Sequence, residues 1–106
     1  MNEVFFGYST IPNIEVARKI AEQVISKKLA ACVNILPQME SIYTWKGQIE
    51  HEQECVLIFK TTKEKAIKLE ETLLEIHPYE CPCVVFLPVA SGYSGFLKWI
   101  DEQLQP

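Results

Sequence analysis

Residues 39–60 read MESIYTWKGQIEHEQECVLIFK, and the alternation in this stretch decides the fold. On the approach, Met39, Ser41, Tyr43 and Trp45 fall on one side and Glu40, Ile42 and Thr44 on the other. That is the period of two a strand imposes. Gly47 marks a turn. On the return, Ile49, Cys55, Leu57 and Phe59 share one side, and Glu50, Glu52 and Glu54 share the other. The two runs make one long hairpin. Its distal part is too polar on one side for ordinary core, yet it carries Tyr43, Trp45 and Ile49. A two-stranded ribbon is poorly stable alone, so a monomer would support this arm badly.

Working outward, ACVNIL (31–36) is the start of the same approach strand, interrupted by Pro37. Before it, EVFFGYST (3–10) reads as a first strand, nearly continuous in apolar residues and so covered on both faces. Asn13 is placed to cap a helix, and Ala17, Ile20, Ala21 and Val24 form its apolar stripe. Lys27 and Lys28 suit the negative end of that helix. After the hairpin, Thr61 and Glu64 make a capping box. Ala66, Leu69, Leu73 and Ile76 follow as a second stripe, and Pro78 stops it. CPCVVFLPV (81–89) is a fourth strand. Gly92 and Gly95 bracket a turn, and Phe96, Leu97, Ile100 and Leu104 belong to a short last helix.

The order is βαββαβ plus a helix, an α+β chain with the ferredoxin-like pattern of two strand–helix–strand units about a hairpin. Right-handed crossovers place both long helices on one sheet face. The opposite face stays apolar and needs a cover, for which a partner subunit is expected. With 106 residues, the chain holds one domain, residues 1–106, and one core.

Composition narrows the function classes. Apolar residues make up 48% of the chain, enough for a packed core, and the net charge is −4. Lysines and glutamates are interspersed, without the basic face that nucleic acid or an anionic membrane surface selects. No apolar run approaches the roughly 20 residues of a membrane span. MNEVFFGYST has no basic leader, so the cytoplasm is the expected compartment and the four cysteines are expected reduced. No Ser/His/Asp set, G-x-G-x-x-G or P-loop can be assembled, and the chain reads as non-enzymatic.

Two groups of residues carry chemistry. The first is HPYECPCVV (77–85), with His77, Cys81 and Cys83 between two prolines. Thiolate and imidazole suit copper(I) or zinc, but one C-x-C with one histidine falls short of the four ligands of a structural zinc site. Cys81 reads as a small packed hydrophobe, and Cys83 as either ligand or packing. A redox pair lacks the C-x-x-C spacing and a helix N-terminus. The second group is Tyr43, Trp45, Glu54, Lys60 and Tyr79. Glu54 and Lys60 share a face of the third strand and could form a buried pair, structural or ligand-binding. The aromatic residues could stack a ligand or fill a subunit interface. His51 reads as exposed or interfacial.

KLAACVNILP, SIYTWKGQIE, LIFKTT, HPYECP and FLKWI, in this order and spacing, resemble the CutA divalent-cation-tolerance family over essentially the whole chain. The resemblance implies a homotrimer built through the long hairpins, copper or other divalent-metal binding, and a role in metal tolerance. No metal is required for folding. The family's proposed copper ligands fall here on Ser9, on Ile76 with His77, and on Cys83, so only His77 is kept and sulfur replaces an oxygen ligand. The matching positions Tyr43, Trp45, Glu54, Lys60, His77, Pro78, Tyr79 and Pro82 suit a pocket between subunits. A second reading is a regulatory or scaffold trimer with a small molecule in an inter-subunit cleft, as in PII-type signalling proteins.

Overall fold

The computed structural model describes residues 2–106. The elements are β1 (Val4–Ile11), α1 (Ile14–Ser26), β2 (Cys32–Trp45), β3 (Gln48–Thr62), α2 (Lys63–Ile76), β4 (Val84–Pro88) and α3 (Ser94–Gln103). The strands form one antiparallel sheet in the order β2-β3-β1-β4. This is the ferredoxin-like arrangement the periodicity requires.

The two sheet faces have different covers. Leu57 and Phe59 of β3 and Ile11 of β1 are buried against Ala17, Ile20 and Val24 of α1 and Leu69 and Leu73 of α2. Each such large side chain contributes about 1.5–3 kcal/mol on burial. Gly7 lies on this side, opposite Phe59 and Phe86. A Cβ there would stand 2.7 Å from the Phe86 ring, so the close approach needs glycine. On the other face, α3 packs Ile100, Leu104 and Leu97 against Val4 and Phe6. That helix covers one end only. Val85, Leu87 and Leu36 remain exposed, and Val85 and Leu87 register with Tyr8 and Phe6 along the same face.

The hairpin is one continuous ribbon from Cys32 to Thr62. Lys46 (φ 49°) and Gly47 (φ 80°) both sit in the left-handed region between the paired Trp45 and Gln48. That is the two-residue turn whose twist matches the strands it joins. The register shifts once, between the pairs Leu36↔Val56 and Met39↔Glu54, with Gln38 at φ 63°. Pro37 cannot donate to the ladder, so the extra residue forms a bulge there and bends the arm.

Several local expectations are corrected. Asn13 caps α1, its Oδ1 accepting the Val16 N–H at 2.9 Å. Lys27 and Lys28, however, lie beyond the helix. Lys28 takes φ 55°, and its Nζ donates to the Gln105 carbonyl at 3.2 Å. The cap of α2 is Thr62, not Thr61. Pairing with β1 extends β3 through Thr62, so Thr61 is buried in the ladder and donates its hydroxyl to the Leu29 carbonyl at 2.7 Å. Gly95 lies within α3 rather than before it. The fourth strand starts at Val84, leaving Cys81, Pro82 and Cys83 outside it. Its ladder with β1 ends at Ser9↔Val84, because Pro82 lacks an N–H and the next β1 carbonyl, that of Thr10, bonds to a side chain.

Candidate functional site

That side chain is His77. Its backbone N–H closes α2 on the Leu73 carbonyl at 2.9 Å, and Pro78 prevents another turn. The ring then bonds in two directions. Nδ1 lies 3.1 Å from the Tyr79 N–H. An amide N–H only donates, so Nδ1 carries no proton. Nε2 therefore carries it and donates to the Thr10 carbonyl at 2.8 Å. Burial pushes the imidazole below its usual pKa, opposed by the Thr10 carbonyl and the Glu54 charge. His77 is thus a neutral clamp between β1 and the segment after α2. Both ring nitrogens are thus engaged by backbone groups, Nδ1 as acceptor and Nε2 as donor.

Tyr79 continues the chain of contacts. Its hydroxyl donates to Glu54 Oε2 at 2.7 Å, and its ring lies 4.9 Å from that of His77. Burial raises the phenol pKa, and the hydrogen bond to Glu54 raises it further, because ionisation would set two anions side by side. Glu54 is only 7% exposed. The loop 77–83, the edge of β1 and the base of the hairpin are therefore tied at one point.

Between the bent arm and this loop lies a cleft of about 940 Å³, lined by Tyr43, Trp45, Glu54, Tyr79, Cys81 and Cys83 among others. Lys46 Nζ, at the arm's turn, reaches Glu80 Oε2 at 3.6 Å. The cleft thus brings together four of the five aromatic and charged residues anticipated. Lys60 is the exception. Six strand residues beyond Glu54 are roughly 20 Å away, and Lys60 Nζ sits over the rings of Phe6 (5.9 Å) and Phe96 (5.3 Å). It supports α3 rather than the cleft and forms no pair with Glu54.

The sulfur groups divide. Cys55 is buried and Cys32 half-buried, away from the cleft lining, while Cys81 is exposed and Cys83 half-buried. Burial first, then the Glu54 charge, raises the Cys83 thiol above its ordinary pKa, with a Thr10 backbone contact pulling the other way. It is not an activated thiolate of the redox kind. Ser9, the first position the resemblance marks, faces the helices opposite Leu57. Its Oγ is buried without a hydrogen-bond partner, and it does not line the cleft. Among the described residues no three His, Cys, Asp or Glu side chains converge on a metal-sized point. The donor set therefore does not fit a three-ligand copper or zinc centre.

Several cleft residues escape the sequence reading, Tyr8, Met39 and Glu52 among them. Tyr8 donates its hydroxyl to Met39 Sδ at 3.6 Å, and Glu52 lines the same wall. Met39 and Glu52 were legible as sharing sides with Tyr43 and Glu54. Tyr8 carried no signal, because its strand reads as uniformly apolar.

The model of the CutA1 divalent ion tolerance protein family matches residues 5–103. A divalent-cation tolerance protein CutA of Thermus thermophilus is 45% identical over 93 residues, covering 88% of this chain and 90% of that protein. The human protein CutA is 43% identical over 96 residues, and the chain spans 54% of its length; for the Xenopus laevis homologue the share is 64%. Among solved structures, a CutA1 of Ehrlichia chaffeensis superposes with TM-score 0.95 at 28% identity, covering 100% of this chain and 99% of that one. A CutA of Archaeoglobus fulgidus does so with TM-score 0.92 at 40% identity, over 96% and 99%. The chain belongs to the CutA1 divalent ion tolerance family.

Proposed function

We propose that the protein is a non-enzymatic divalent-cation-tolerance trimer that takes up a soft metal ion, copper first, through Cys81 and Cys83. The observation that carries this is the pair of free cysteines one residue apart on the wall of the cleft. Hard ions such as magnesium or calcium want several converging oxygens, and two sulfurs favour a softer one. Titration of copper(I) against a competing chelator tests it. Cys81→Ser and Cys83→Ser should each weaken binding, and His77→Gln should leave it unchanged. Acid should weaken it too, because protons compete for the thiolates. Equal binding by wild type and the Cys81→Ser/Cys83→Ser double variant would sink the proposal.

The trimer is supported by the open sheet face and by the arm, whose second side exposes Ile42 and Ile49. Both sheet edges, β2 and β4, are unpaired among the described residues and invite strands of neighbouring copies. Free thiols suit the reducing cytoplasm. A second reading, a regulatory trimer that holds a small molecule, is favoured by the cleft itself. Its volume suits an organic ligand far better than a single ion.

A further inference from the structure

The cleft has a one-sided chemistry. Four carboxylates line it, those of Glu40, Glu52, Glu54 and Glu80, and the lining includes no lysine, arginine or histidine. Interleaved with them are the rings of Tyr8, Tyr43, Trp45 and Tyr79. Two observations raise this above a solvated acidic surface. First, Glu54 is more than nine-tenths buried, yet has no cationic partner among the described residues. Its carboxylate accepts the Tyr79 hydroxyl at Oε2 and lines the cleft. Burying a carboxylate without a counter-charge is costly. Second, the chain's own ammonium group rests at the rim. Lys46 Nζ lies 5.5 Å from the Trp45 ring centroid and 3.6 Å from Glu80 Oε2. One ring face and one carboxylate already hold a –NH₃⁺ there.

We infer that the cleft is a binding site for an organic ammonium ion, with Glu54 as its buried counter-charge and Tyr43, Trp45 and Tyr79 offering ring surfaces. The inference rests on the small-molecule reading of the cleft and names its ligand class. A bare divalent metal ion fits worse, because no three ligating side chains converge among the described residues. An ammonium ion on a carbon frame needs no convergent donors. Aromatic quadrupoles attract it across a whole face, and dispersed carboxylates attract it at longer range. The cleft of about 940 Å³ accommodates it with room for its substituents. The net charge of −4 steers cations toward the molecule.

The test is an NMR titration of the intact protein at fixed ionic strength with three probes of one shape: tetramethylammonium, neutral neopentyl alcohol and anionic pivalate. The indole N–H of Trp45 reports on the cleft, and that of Trp99, on α3, serves as control. Tetramethylammonium should shift Trp45 saturably and leave Trp99 in place, and the neutral and anionic probes should do neither. Glu54→Gln keeps an acceptor for Tyr79 and removes the charge. It should weaken tetramethylammonium binding on the order of tenfold, the scale of losing one close charge or ring contact. The exposed Glu22→Gln on α1 should change nothing. Size-exclusion profiles matching wild type would show that the variants keep their assembly. Equal binding of the alcohol or pivalate leaves the cleft a small-molecule site and overturns its cation selectivity. No saturable shift with any probe overturns both the inference and the small-molecule reading, while copper(I) binding stands apart. Wild-type affinity in Glu54→Gln overturns the inference as well.

Discussion

At the scale of single residues, His77 has the most consequence. Its two ring bonds need a neutral imidazole with Nε2–H, and protonating Nδ1 breaks the bond from Tyr79. The folded-state pKa is lowered, so the unfolded chain takes up the proton first as pH falls. The clamp's contribution is therefore whole above about 6.5, the ordinary histidine value. It declines as pH drops toward the lowered folded value. Denaturant midpoints at fixed protein concentration should show this loss between neutral and mildly acid pH, and His77→Gln should flatten it. An unchanged slope in the variant would rule the clamp out as its source. Gly7 is the second such residue. Gly7→Ala sets a methyl 2.7 Å from the Phe86 ring and 3.2 Å from that of Phe59. Overpacking of this kind costs about 1–3 kcal/mol, readable as a lower unfolding midpoint.

At the scale of elements, two adjacent threonines separate two jobs that look alike in sequence. Thr62 Oγ1 accepts the Lys65 N–H at 3.3 Å and caps α2. Thr61 Oγ1 ties β3 to the turn after α1 through Leu29. Thr62→Ala should cost about 1 kcal/mol, as loss of a helix cap does, with faster amide exchange in the first turn of α2. Thr61→Val keeps the shape but removes the donor to a buried carbonyl, a loss of about 1–3 kcal/mol. Its exchange change should fall instead on residues 28–31. If both variants disturb the same amides, this division of labour is wrong. Sequence showed a threonine–glutamate pair and could not say which threonine leaves the sheet. The register with β1 decides that, since Val4↔Thr62 is its last pair.

At the scale of the whole molecule, burial is incomplete. One face is sealed by α1 and α2, whereas α3 covers only part of the other. Leu87 is 60% exposed and Val85 48%, side by side on an edge strand, and the two-stranded arm bears apolar groups on both sides. A closed ring of copies would cover these surfaces by repeating one heterologous contact. Leu87→Lys should shift light-scattering mass toward the monomer, since a charge on a desolvated strand is expensive. A wild-type protein that is monomeric at micromolar concentration would falsify the trimer.

The sequence by itself determined the element order, the long hairpin and its turn at Gly47, because periods of two and of 3.6 are local and survive without tertiary context. It also placed Tyr43, Trp45 and Glu54 along one ribbon, and in the structure they line the same cleft. What only the tertiary structure decided was which groups meet. Lys60 shares a face with Glu54 but is too far along the strand and is claimed by Phe6 and Phe96. His77 looks like a ligand beside two cysteines, yet both nitrogens are taken by backbone groups, one of them in β1. Tyr8 reads as core and emerges in the cleft. A backbone carbonyl such as that of Thr10 has no letter of its own in the sequence, and a buried side chain's partners are set by packing across the sheet rather than by its neighbours in the chain.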